Sequence, residues 1–166
     1  MGRDLLISVH PIHVAAMRSG RKTVELRRVR PAIEPGCRVV FYETAPISAV
    51  IAWATVAAVH RAPPIRLWRM VGANSACLRT DFLRYYADRE IGFAIAFHGF
   101  RLLPRPVSRG SLARRLGSFH PPQSYRYLDR SRVDDRRLLS LLALPQPARV
   151  ASRTSRRSAA ALPKRG

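Results

Sequence analysis

The chain has 166 residues, with 30 Lys plus Arg against 10 Asp plus Glu and a formal net charge of +20. This length fits one domain of ordinary size with room for a tail, and the 47% hydrophobic fraction can build a core, which excludes a wholly disordered basic protein. No apolar run approaches the roughly 20 residues of a membrane helix, and Met1-Gly2-Arg3-Asp4 lacks the layout of a signal peptide, so the expected compartment is the cytoplasm, with no membrane partner.

In chain order, Leu5 to Val9 reads as a short apolar strand. Pro11 suits the first turn of a helix with Ile12, Ala15, Ala16 and Met17 near helical spacing, and Gly20 ends it. Lys22 to Arg28 alternates, with Val24 and Leu26 on one face and Thr23, Glu25 and Arg27 on the other, which predicts a half-buried strand. Pro31 to Gly36 is a turn-rich loop, and Cys37 to Tyr42 is a second β-rich run that ends before Pro46. Ala49 to His60 is read as a strand because Val50, Ile51, Val56 and Val59 are β-branched. Pro64 opens a helix running through Val71 to Gly72, and Thr80 or Asp81 caps another that carries Phe82, Leu83, Tyr85 and Tyr86. Ile91 to Leu103 is a long strand. After Pro106, Ser108 and Ser111 start a short helix at Leu112 to Leu116, and Val133 to Leu142 forms a last, arginine-rich helix. About five strands with small helices within about 130 residues predict a compact α+β barrel with helices at its mouth.

The charge is unevenly placed. Of the basic residues, 28 are Arg and only Lys22 and Lys164 are Lys, a ratio that fits a GC-rich coding sequence and makes some Arg ordinary surface. Residues 1–100 carry 14 basic and 7 acidic side chains, and residues 101–166 carry 16 and 3. From Pro145 onward, prolines, Ala and Ser surround six basic residues with no acid, which predicts a disordered basic tail over 145–166. Such a field favours polyanions, with nucleic acid first. Cys37 and Cys77 are too few for a disulfide scaffold, and the five His are scattered without a ligand partner, so neither a metal nor another cofactor is expected.

The most informative stretch is Gly20-Arg21-Lys22-Thr23-Val24-Glu25-Leu26-Arg27-Arg28. Glu25 and Arg27 lie two apart on one strand face and can form one polar wall, and Lys22 sits at the start of the strand beside it. The pattern Gly20, Lys22, Glu25, Arg27 is GxKxxExR and resembles the signature of the ASCH domain, a member of the PUA-like superfamily. The Pro35-Gly36 turn and the late Pro121-Pro122-Gln123-Ser124-Tyr125-Arg126-Tyr127 segment agree in order with that family. The resemblance covers about residues 4–128. It divides the chain into an ASCH domain over 1–128, an arginine-rich helix over 129–144 and the tail over 145–166.

The resemblance implies a small PUA-like β-barrel, with short helices around a cleft lined by the signature residues, that accepts RNA or a nucleotide. In that cleft Gly20, Lys22, Glu25, Arg27, Arg28, Tyr125, Arg126 and Tyr127 are the expected RNA-contacting residues. Arg27 and Arg28 would serve phosphate, and Glu25 would accept from base amines or ribose hydroxyls. Tyr42, Trp53, Trp68, Tyr125 and Tyr127 are candidate stacking platforms, although aromatics more often pack in cores. The expectation is a nucleic-acid-binding module that prefers RNA, with enzymatic activity left open. One alternative is a metal-independent ribonuclease or a nucleoside-processing hydrolase, with Lys22, Ser124 and Tyr125 as catalytic candidates. Amidohydrolase relatives use a Thr three residues after the Lys; here that position is Glu25, and Thr23, one residue after Lys22, points to the face opposite Lys22. The remaining alternative is a basic partner-binding or DNA-binding regulatory protein, since charge alone does not separate DNA from RNA.

Overall fold

The computed structural model describes residues 3–144. The predicted tail, 145–166, lies outside them. Six strands form one mixed sheet: β1 (Asp4–Val9), β2 (Val24–Arg27), β3 (Arg38–Glu43), β4 (Ala49–Ala62), β5 (Gly92–Ser108) and β6 (Tyr125–Leu128), in the order β2-β5-β4-β3-β1-β6. Helix α1 (Pro11–Arg18) follows β1. Helices α2 (Pro64–Val71) and α3 (Arg79–Tyr85) are joined by a 3-10 turn at Gly72–Asn74. Helix α4 (Arg109–Leu116) follows β5, and α5 (Val133–Leu141) follows β6.

The sheet curls because its two longest strands bend. Along β4 and β5 the register shifts between Val50 and Ala52, between Trp53 and Thr55, and between Val56 and Ala58. Each bulge adds local twist and bend. The result is a curled half-barrel whose edges, β2 and β6, face each other. β1 lies parallel to β3, and the other pairings are antiparallel.

Both faces of the central strands are covered. Leu5, Ile7, Val39, Phe41 and Ile95 point into the curl, with Val14 and Met17 of α1 closing one side. Leu6, Val40, Tyr42 and Val50 point outward, under Leu112 of α4 and Leu138, Leu139 and Leu142 of the α5 region. A third cluster joins Val24 and Ala94 to Leu67, Val71, Phe82 and Tyr86 of the helix pair. This double burial explains why β1 reads as continuous apolar sequence with no alternation.

Three sequence expectations are corrected. The predicted strand ending at Leu103 runs on to Ser108, through Pro104 and Pro106. Proline has no N–H for a ladder, but here Leu102 pairs with Ala52 and Val107 with Val50, so both prolines fall inside a bulge. Neither Thr80 nor Asp81 caps the helix that carries Phe82: α3 begins two or three residues earlier, behind an extended Leu78 with no side-chain cap. The count of strands rises to six, because Tyr125–Leu128, where the sequence predicted no strand, pairs antiparallel with Asp4–Ile7.

Phe41 lies fully buried against Phe97 and Phe100, with ring centroids 5.4 and 5.5 Å away. Phe41→Ala should cost about 3–5 kcal/mol in urea unfolding, whereas Leu102→Ala on the half-exposed outer strand should stay within about 0.5–1 kcal/mol; equal losses would contradict this account of the core.

Candidate functional site

The site begins at the end of α1. The N–H of Ser19 donates to Ala15 O and that of Gly20 to Met17 O, and Gly20 takes φ +76°, which turns the chain sharply. That turn lets the Lys22 N–H donate back to Ala16 O, so Lys22 stands just before β2 rather than within it. Its side chain is only 4% exposed; Nζ donates to Ser75 O at 3.3 Å and lies 3.2 Å from Glu25 Oε2.

β2 then puts Val24 and Leu26 in the helix-facing cluster and turns Glu25 and Arg27 the other way. Arg27 Nη2 is 3.3 Å from Glu25 Oε1, so one carboxylate faces two cations and the trio carries a net +1. Arg27 is 8% exposed. Its guanidinium lies over the Tyr125 ring at 5.1 Å, and Nη1 donates to Ser124 Oγ at 3.5 Å. Arg27 thereby crosses from one sheet edge to the other. The far edge is held in place by Ser8, whose N–H donates to Ser124 O and whose hydroxyl donates to Pro122 O at 2.6 Å.

These ion pairs leave hydrogen-bonding capacity unused. Glu25 Oε2 and Arg27 Nε and Nη2 are buried with no aligned hydrogen-bond partner among the described residues, although Glu25 Oε2 and Arg27 Nη2 sit at ion-pair distance from opposite charge. They border a cleft of about 250 Å³. The cleft is lined by Lys22, Glu25, Leu26 and Arg27 of the motif, by His13 of α1, by Ser75 and Cys77, and by Asp81, Phe82 and Tyr85 of α3.

The expected residues separate in space. Lys22, Glu25, Arg27, Ser124 and Tyr125 come together. Gly20 shapes the approach and contributes no side chain. Arg28 turns away to the surface and pairs with Asp88. Arg126 pairs with the buried Asp135 at 2.5 Å, and the Tyr127 hydroxyl accepts from the Ala32 N–H at 2.7 Å, so both tie β6 to its neighbours. Tyr42 is core, Trp68 packs edge-on against Phe82, and Trp53 lies on the outer face beneath Arg101. His13, Ser75, Cys77 and Tyr85 were not singled out as lining residues. Tyr85 is an exposed aromatic beside the motif, its hydroxyl 3.4 Å from Leu26 O.

The electrostatics follow from this placement. Burial, and then the neighbouring Lys22 ammonium, lower the pKa of His13 below its ordinary value, so the imidazole is neutral at pH 7. Burial, then Tyr127, raise the pKa of Tyr125, so its phenol stays protonated and can donate. Among the described residues no group of three or more His, Cys, Asp or Glu is placed to hold a metal ion, and no helix is long and apolar enough to cross a membrane.

No protein-family model matches the chain. It is 28% identical over 139 residues to an ASCH domain-containing ribonuclease of Zymomonas mobilis, a match that spans 84% of this chain and 92% of that protein. The crystal structure of ASCH from Zymomonas mobilis superposes with a TM-score of 0.73 at 28% identity, over 83% of this chain and 94% of that one. Human THYN1 protein, solved in complex with 5-methylcytosine-containing DNA, shares the fold at a TM-score of 0.51 and 12% identity, over 87% and 99% of the two chains.

A histidine whose folded pKa is depressed contributes stability that is complete above the unfolded value of 6.5 and is lost as pH falls through that value toward the folded one. The melting temperature should therefore fall between about pH 7.5 and about pH 5, and His13→Gln should remove part of that fall; identical pH profiles would show that His13 is not buried as described.

Proposed function

We propose that this chain, which resembles ASCH domain proteins over most of its length, binds nucleic acid, with RNA preferred, by taking a single-stranded segment into the cleft beside Lys22, Glu25 and Arg27. The observation that carries this reading is a buried guanidinium with two nitrogens lacking aligned acceptors, next to a carboxylate oxygen in the same state. Buried polar groups are nearly always hydrogen-bonded, and an unsatisfied one costs about 1–3 kcal/mol. A nucleotide offers partners to each: phosphate oxygens for Arg27, and base amines or a ribose 2′-hydroxyl for Glu25 Oε2. The 2′-hydroxyl contact favours RNA over DNA. Tyr85 and Tyr125, at the cleft and its seam, supply ring faces for bases. The relative named a ribonuclease supports a nucleic-acid ligand.

A second reading, metal-independent RNA cleavage, is favoured by the approach of Ser124 and Tyr125 to Arg27 and by the neutral His13 in the same cleft. The ribose 2′-oxygen attacks the adjacent phosphorus and the bond to the 5′-oxygen breaks, leaving a 2′,3′-cyclic phosphate and a 5′-hydroxyl. A base takes the 2′ proton and an acid protonates the leaving oxygen. Lys22 and His13, which line the cleft, and Ser124 and Tyr125, which meet Arg27, are the candidates for these roles.

Tyr85 is partly exposed and packs edge-on against the buried Tyr86, with ring centroids 4.8 Å apart, so its removal should cost about 0.5–1.5 kcal/mol of stability and leave the chain folded. Tyr85→Ala should weaken binding of a short single-stranded RNA by about 10-fold to 100-fold, the worth of one stacked base. Arg27→Ala should weaken it at least as much. Affinities equal to the wild type in both variants would reject the cleft and leave only charge-driven binding. Incubation of RNA with EDTA present should yield cyclic-phosphate ends that disappear in Lys22→Ala; absence of product with the wild-type chain rejects the second reading alone.

A further inference from the structure

From Ile91 to Leu128 the sequence contains no Asp or Glu. Within it, α4 packs on the second half of β5, beyond the part of β5 that pairs with β2, and the two form one outer face. Arg101 and Arg105 lie on the second half of β5, and Arg109, Arg114 and Arg115 lie on α4; all five are exposed. Arg101 lies over the Trp53 ring at 5.9 Å. Among the described residues none of the five meets a carboxylate, whereas Arg27, Arg28, Arg84 and Arg126 each do.

The face is shaped as well as charged. A groove of about 520 Å³ runs between the end of β5 and the C-terminal part of α5. Arg105, Ser108, Ser111 and Arg115 line it above the buried Leu103 and Leu142. Arg105 stands between Pro104 and Pro106 in the β5 bulge, where two fixed φ angles hold its backbone in advance of any contact. Cations and hydroxyls beside an apolar floor, with no acid lining it among the described residues, complement a phosphodiester backbone.

We infer that this face is a second RNA site, which tracks the phosphate backbone of the strand whose end occupies the cleft. The inference rests on the RNA reading above. The two sites lie on different parts of β5: Ile95, which pairs with Glu25, and Arg105 are ten residues apart, about 33 Å of extended strand at ~3.3 Å per residue, less where the bulges bend it. Only a strand longer than the cleft can hold would reach both.

The test compares the full chain with its Arg105→Ala/Arg115→Ala variant, using single-stranded RNAs of about 4 and about 20 nucleotides across a range of salt. Both arginines are exposed, so the melting temperature should be unchanged. The wild type should bind the long RNA more tightly than the short one. The variant should lose most of that gain, its salt slope should fall by about 1.4 for two lost contacts at ~0.7 each, and its affinity for the short RNA should not change. A variant that keeps the wild-type gain and slope overturns the inference and leaves the face to a partner other than RNA. If Tyr85→Ala leaves short-RNA binding intact while the arginine variant loses the long-RNA gain, the cleft reading fails and the second site stands.

Discussion

Arg27 joins two strands that no ladder hydrogen bond joins. Among the described residues β2 and β6 share no backbone pairing, and the gap between them is spanned by the Arg27 guanidinium over Tyr125, by its contact with Ser124, and by the Tyr127 hydroxyl on the Ala32 N–H. A cation placed there is almost out of water, and burial of an unpaired charge is costly. Glu25 answers that cost. Two residues along one strand is the spacing that puts it on the same face, and Lys22 then balances the other carboxylate oxygen. The turn at Gly20 is what brings Lys22 into range. The motif spacing is thus a closure device for a half-barrel before it is anything else.

Closure by side chains has a consequence for chemistry. A backbone ladder would consume its donors and acceptors at fixed places. Here the pairing satisfies the charges but leaves Arg27 Nε, Arg27 Nη2 and Glu25 Oε2 unaligned. The seam therefore keeps polar capacity where α3 adds Tyr85 and α1 adds a neutral His13. The trio's net +1 is small beside the chain's +20, and the exposed arginines of β5 and α4 lie beyond the part of β5 that pairs with β2. In the proposed reading, local charge at the cleft orients the ligand and the outer arginines attract it over distance.

Most strands were legible because apolar runs of the right length bounded by turns admit few readings, and β1, β3 and β4 follow that pattern. The motif was legible because a two-residue period and a helix-ending glycine have direct geometric meaning. The rest failed for particular reasons. β6 is Tyr-Arg-Tyr-Leu behind Pro-Pro-Gln-Ser, too polar and short to read as a strand; it is one because β1 offers an edge and Ser8 holds its start. Pro104 and Pro106 argued for a strand end, which the bulge overrides. Arg28 and Arg126 resembled cleft cations until Asp88 and Asp135, distant in sequence or on another element, were seen to claim them. His13, Ser75 and Tyr85 reach the cleft only through tertiary packing. A faint signal existed for Tyr85: Phe82 and Tyr86 form a buried pair four apart, which leaves Asp81 and Tyr85 on the flank of the same helix.

The central claim is that a nucleotide sits at the seam between β2 and β6. Photo-crosslinking of a 4-thiouridine-bearing RNA to the full chain, followed by identification of the modified peptides, tests it most directly. The account predicts adducts on Tyr85 and Tyr125, in peptides that also border Arg27. Adducts confined to the arginine-rich region after residue 100, with Tyr85 and the 124–125 segment unmodified, would contradict it.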